Sequence, residues 1–385
     1  MFPYSTVHKS QITNHQTRIT NYESRITTNR VFGLDIIRAT AIILVMISHS
    51  RYFFVKFYPA LNGLSICGYL GVELFFVLSG FLIGRILIRL ISKKKLSIRD
   101  LIKFWLMRWM RTLPNYYLFL IIYLILYSYF FKTLSSLDLR YFFFYQNFLW
   151  PHPPFFPEAW SLCMEEWFYV LFPMVLFALA RILKTDKKNI VLIAILIFIC
   201  FSETLRFLYV YLKNPTWDEG VRKVTLLRLD AIILGVLFAW LDFYFLEFVL
   251  KRKTLLLGAG LVGLILCVTG YYIFDKNSSV ISRTFYFFFT DLSLACFLPF
   301  FSKIKYPFDN YAKILTFVSL ISYSMYLTNL SLVYNFLNKY IPAATISHAF
   351  VGLFFYWALT FALSAIIFYL YEKPILRYRN ARLKL

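Results

Sequence analysis

Ten long apolar runs constrain this chain more than any other feature. Continuous stretches of about 20 apolar residues cross hydrocarbon as helices, because only a helix satisfies its own backbone there. The runs fall at about 33–50, 69–90, 113–131, 160–181, 189–210, 226–244, 254–274, 283–301, 313–335 and 349–371. None shows the two-residue alternation of a membrane β-strand, which excludes a barrel. Hydrophobic residues make up 60% of the 385, more than a soluble core of this size needs. The expected fold is therefore an all-α polytopic membrane protein. It divides into a polar tail (1–30), one membrane domain (31–372) and a basic tail (373–385). The loops are too short for a second domain. The polar start has no apolar h-region and reads as a disordered tail with no cleavable signal.

The net charge of +22 invites a nucleic-acid reading, but the basic residues crowd between apolar runs. Placing the N-terminus in the cytoplasm puts most of them on the cytoplasmic side, and the C-terminus with them. Membrane topology thus explains the charge, and no nucleic-acid partner is expected. The five cysteines, Cys67, Cys163, Cys200, Cys267 and Cys296, form no CxxC and no metal spacing. Cys67 and Cys163 share the outer side, where this topology allows a bond between them. No metal and no tightly bound cofactor are expected.

Polar residues inside apolar runs cost free energy unless paired or wet, so they are the first candidates for a site. In the first run, Arg38 and His49 are separated by roughly 16 Å along one helix, with Asp35 just before them. Arg38 falls on the cytoplasmic side and His49 on the outer side; snorkelling from the helix ends is the structural alternative. The second run, GYLGVELFFVLSGFLIGR, puts Glu73 outside and Arg85 inside. Its glycines suit helix packing as well as ligand approach. RWMRTLP carries Arg108 and Arg111 on one helical face; with Arg85 and Arg38 they make a candidate phosphate clamp or a lipid-facing cluster. WSLCMEEWFYVLFP brings Trp160, Ser161, Glu165, Glu166 and Tyr169. We expect the two glutamates level with His49, one of them orienting the imidazole. RLDAIILG holds Arg228 and Asp230, which point apart on a helix and await partners on others. ISYSMYLTNL supplies Ser322, Tyr323, Tyr326 and, near mid-depth, Asn329. In YEKP, Pro374 is expected to stop the last helix and Glu372 to pair with basic neighbours.

Together, in order and spacing, these strings resemble the acyltransferase 3 family of integral membrane acyltransferases over about 33–377. Arg38 and His49 match its Arg–ten residues–His motif, and RWMRTLP, WSLCMEEWFYVLFP, RLDAIILG, ISYSMYL and YEKP are similar to its later ones. The resemblance implies transfer of an acyl group, usually acetyl, from cytoplasmic acyl-CoA to a glycan or glycolipid hydroxyl at the outer face. The histidine is then the general base or the acyl carrier. One position departs: many relatives have a histidine after ISYxxYL, where this chain has Asn329, which cannot shuttle a proton near neutral pH.

The sequence thus supports an O-acyltransferase of a surface glycan such as O-antigen, lipopolysaccharide or exopolysaccharide, in a bacterial inner membrane. The resemblance implies acetyl-CoA, or another acyl-CoA, as the donor substrate. Arg38, Arg85, Arg108 and Arg111 hold the donor, His49 with Glu165 or Glu166 does the chemistry, and Arg228 and Asp230 position the acceptor or support the fold. The rivals are a secondary transporter using Arg38, Glu73 and His49 as an ion path, and a scaffold of a glycan assembly complex. The oligomeric state is left open.

Overall fold

The computed structural model describes residues 30–93, 96–131, 139–307 and 309–383. The polar segment before Arg30 lies outside them. The described residues contain helices and no strand. We number the long helices α1 (Phe32–Ser50), α2 (Ser65–Lys93), α3 (Ile98–Phe131), α4 (Ala159–Ile182), α5 (Lys187–Lys213), α6 (Leu229–Tyr244), α7 (Leu246–Ile273), α8 (Val280–Ala295), α9 (Asn310–Thr328) and α10 (Ile346–Ile367). Nine helices among the described residues are long and apolar enough to cross a membrane. The tenth expected span became α6, whose 16 residues stop short of that length.

α2 is the axis of the bundle, and its glycines explain why. A Cβ on Gly80 would lie 1.8 Å from the Ile232 carbonyl oxygen, and one on Gly235 would lie 2.0 Å from that of Val77. α2 and α6 therefore touch backbone to backbone, the close approach that small residues permit. On another face, a Cβ on Gly71 would lie 2.6 Å from the Ala41 carbonyl, so α1 packs nearly as closely.

Several expectations change. Helix α3 starts at Ile98 and runs through Pro114, so Arg108 and Arg111 sit within the helix instead of before it. Pro374 does not stop the last helix. A π-turn spans Phe368–Glu372, and a helix continues over Lys373–Leu383 with Pro374 as its second residue. Glu372 accepts hydrogen bonds from Asn115 Nδ2 (2.9 Å) and Ser324 Oγ (3.0 Å) rather than pairing with a base. All five cysteines are free, and the buried Cys163 thiol donates to the Phe144 carbonyl.

Candidate active site

Three cavities follow one another through the bundle. The first, about 480 Å³, is lined by Arg30, Arg38, Arg85, Arg89, Arg108, Arg111 and Arg379. Asp35 also lines it, held by Arg30 and by Ser319 Oγ (2.7 Å), and Arg38 lies 3.6 Å from it. Arg85, Arg89, Arg108 and Arg111 form no salt bridge among the described residues. Arg108 and Arg111 stand close enough to Arg38 to repel it. Seven guanidinium groups here face only two lining carboxylates, Asp35 and Glu372, an excess of positive charge that suits an anionic ligand.

The second cavity, about 100 Å³, shares Arg38, Leu82, Arg108 and Arg111 with the first. Its wall includes Ser79, Glu165, Tyr169, Ser322 and Tyr323. Tyr169 Oη bridges Ser79 Oγ (2.7 Å) and Glu165 Oε2 (2.8 Å). Tyr323 Oη donates to the Thr112 carbonyl (2.9 Å), and Thr112 Oγ1 donates to Glu166 Oε1 (2.6 Å). Ser322 Oγ donates to the Ser319 carbonyl.

The third cavity, about 460 Å³, holds His49 and shares only Val72 and Tyr326 with the second. Val72 and Tyr326 thus form the neck between the two, and Tyr326 Oη is held there 2.7 Å from Ser161 Oγ. Aromatic rings line this chamber, Tyr52, Tyr69, Trp160 and Trp217 among them.

Among the described residues His49 has one side-chain hydrogen-bond partner, Asn329. The carboxamide of Asn329 is fixed, because Nδ2 donates to the carbonyls of Met325 and Tyr326 (2.8 Å each). Its oxygen must then accept, and His49 Nδ1 lies 2.5 Å from it, with Tyr356 Oη at 3.3 Å. His49 is thereby held as the tautomer protonated at Nδ1, leaving the Nε2 lone pair free. The backbone changes its winding at Asn329. Residues Asn329–Tyr334 form a π-turn, the kind of local widening often found at functional sites. Its displaced amide is capped from outside: Ser331 N and Oγ donate to the two carboxylate oxygens of Glu158. Burial pushes the Glu158 carboxyl up to about 7.

The arrangement corrects three expectations. Glu165 and Glu166 do not contact His49; they face the arginine side, about 10 Å deeper along α4 than its first turn. Asn329 sits at the level of His49, not near mid-depth. Arg228 and Asp230 belong to a sealed network instead of an open vestibule. Arg228 donates to Glu73 (2.8 Å) and Asp291 (3.0 Å), and Arg206 holds Asp230 (2.9 Å), every side chain with no exposure. Arg222 reaches from this network to the His49 chamber. It lies 3.8 Å from Glu73, bonds Asp218 (2.8 Å) and stands over Trp160 at 4.9 Å. Burial acts to raise the Asp218 carboxyl, but Arg222 and Lys223 overcome it and hold it at about 2. Sequence reading singled out neither Glu158 nor Arg222, which lie outside apolar runs and break no motif; Asp291, inside one, was detectable as an intramembrane charge.

The fold and cavities define a polytopic membrane protein with a cationic chamber and a histidine chamber joined through a narrow neck. Residues 31–370 match the acyltransferase domain model, and the chain belongs to the acyltransferase 3 family. Among curated proteins, it is 31% identical over 170 residues to the peptidoglycan O-acetyltransferase OatA of Listeria monocytogenes, covering 40% of this chain and 25% of that one. It is 28% identical over 334 residues to the O-acetyltransferase OatA of Staphylococcus aureus, covering 80% of this chain and 51% of that one. The chain thus spans about half the length of these relatives or less. No solved structure matches it.

Proposed function

We propose that this chain is an O-acyltransferase that moves an acyl group, most simply acetyl, from acyl-CoA to a hydroxyl of a cell-envelope glycan. The observation that carries this reading is the string of cavities from an arginine-rich chamber, where Arg85, Arg89, Arg108 and Arg111 have no salt bridge among the described residues, to a histidine with a free lone pair. The CoA phosphates meet Arg85, Arg108 and Arg111, with Arg38 at the junction. The thin pantetheine arm runs through the second cavity and presents its thioester at the Val72–Tyr326 neck. In the third chamber His49 Nε2 takes the proton of the acceptor hydroxyl while its oxygen attacks the thioester carbon. The C–O bond forms, the C–S bond breaks, and the proton passes from His49 to the leaving thiolate. Asn329 holds the ring and its tautomer, the role expected of Glu165 or Glu166. The lysine and arginine bias of the loops supports a cytoplasmic arginine chamber and an outer histidine chamber in a bacterial inner membrane.

Acetyl-CoA titrated into purified protein tests the donor half. Binding that weakens in Arg108→Ala and Arg111→Ala supports the reading. Absence of binding, with proton-coupled uptake of a sugar in its place, would establish the transporter.

A further inference from the structure

The third chamber carries more positive charge than its own carboxylates answer. Arg51, Arg222, Lys223 and Lys276 line it against Glu158 and Asp218. Asp218 is shared by Arg222 and Lys223, and Glu158 is engaged with Ser331. Arg51 and Lys276 are left without a salt bridge among the described residues. Arg51 is instead bound to the carbonyl and hydroxyl of Ser48 and to Asn62, and stands 4.2 Å from the Tyr52 ring centre. Lys276 rests on the Tyr271 ring at 3.3 Å. Neutral partners fix both cations in place without discharging them. Tyr52, 38% exposed, lies parallel to the His49 ring at 6.2 Å, so an aromatic face and a guanidinium without a carboxylate partner among the described residues flank the base. Aromatic faces suit the apolar face of a sugar ring, and fixed cations suit an anion.

We infer that the acceptor is an anionic glycan, with a carboxylate or phosphate on the acylated sugar or its neighbour, held by Arg51 and Lys276 while the hydroxyl faces His49 Nε2. A neutral acceptor would leave two cations in the chamber unanswered. This inference rests on the proposed acyl transfer and names its substrate class. It also gives Arg51 a task that the arginine chamber cannot share, since Arg51 caps the C-terminus of α1 and Arg38 lies in its N-terminal half, about 20 Å away along the axis.

Tandem mass spectrometry of envelope glycans from cells with and without the gene tests it. We expect acetyl groups that depend on the gene and sit on, or next to, an acidic sugar; fragment masses separate a uronic or other carboxylate from a phosphate. Arg51→Gln and Lys276→Gln should each lower that acetylation roughly tenfold, the worth of one charge-assisted contact, with acetyl-CoA binding unchanged. Gene-dependent acetyl on a wholly neutral glycan, or full acetylation in the double variant, would overturn the inference and leave the acyl transfer standing. No gene-dependent acetyl at all would overturn the acyl transfer, and this inference with it.

Discussion

Replacing Asn329 by leucine should slow the reaction without emptying the donor chamber. The carboxamide oxygen is the acceptor at 2.5 Å from His49 Nδ1, and no second side-chain acceptor on His49 is present among the described residues. Losing it leaves a buried donor unsatisfied in the productive tautomer, a cost of about 1–3 kcal/mol. If that cost falls on the reacting form, kcat drops about 5- to 150-fold. This is a part of the roughly 10²–10⁴ that a general base supplies, so Asn329→Leu should lie between the wild type and His49→Ala. Aspartate is the sharper probe. Its second oxygen would replace an NH₂ that donates to two carbonyls at 2.8 Å, so Asn329→Asp should lose both stability and rate despite keeping an acceptor. The assay is transfer of radiolabelled acetyl from acetyl-CoA in isolated membranes, with acetyl-CoA binding measured in parallel. Wild-type kcat in Asn329→Leu would refute the claim that this amide sets the tautomer, as would an aspartate variant faster than the parent.

Other outcomes follow from the same contacts. Arg108→Ala and Arg111→Ala should each raise the KM for acetyl-CoA roughly tenfold with little change in kcat; an unchanged KM in initial-rate measurements would remove both from donor binding. Glu158 bears on pH: its carboxyl sits at about 7 instead of the ordinary 4.5 because burial disfavours the charge. The folded form therefore binds more protons across that window, and stability falls as pH rises from about 4.5 to about 7. Thermal unfolding in detergent should show this slope reduced in Glu158→Gln, and an identical slope in both proteins would contradict it. Arg228→Met should destabilise by about 3–5 kcal/mol, because Glu73 and Asp291 are left buried and facing each other; Glu73→Gln with Asp291→Asn should restore part of the loss in the same background, and no recovery would argue against one network. Gly80→Val should prevent α2 and α6 from meeting, since its Cβ would fall 1.8 Å from the Ile232 carbonyl; a wild-type melting temperature would show that the helices can part.

The helices were legible because hydropathy is a property of each run by itself. Arg38 and His49 were legible as addresses for a similar reason: depth along a helix follows from counting residues. What a residue faces depends on how helices turn against each other, and that was not. Glu165 and Glu166 looked level with His49 because both strings lie near a helix end. α4, however, begins at Ala159, and six residues of rise carry Glu165 to the arginine side. Asn329 was visible as a departure from the family string, yet its contact with His49 depends on how α9 turns against α1, which neither string shows. α6 and its short length were masked by an apolar flank, VTLLRL, that reads as membrane but folds as a 3₁₀ turn over Thr225–Leu227.

In the proposed reaction an acyl group supplied at the arginine chamber reaches an acceptor at the His49 chamber. Inverted membrane vesicles from cells of the native host test it most directly, with radiolabelled acetyl-CoA added outside and the envelope glycan enclosed. Wild-type vesicles should place label on glycan in the lumen, and vesicles carrying His49→Ala at equal protein level should place at least about a hundredfold less. Equal luminal label in the two preparations would contradict the account.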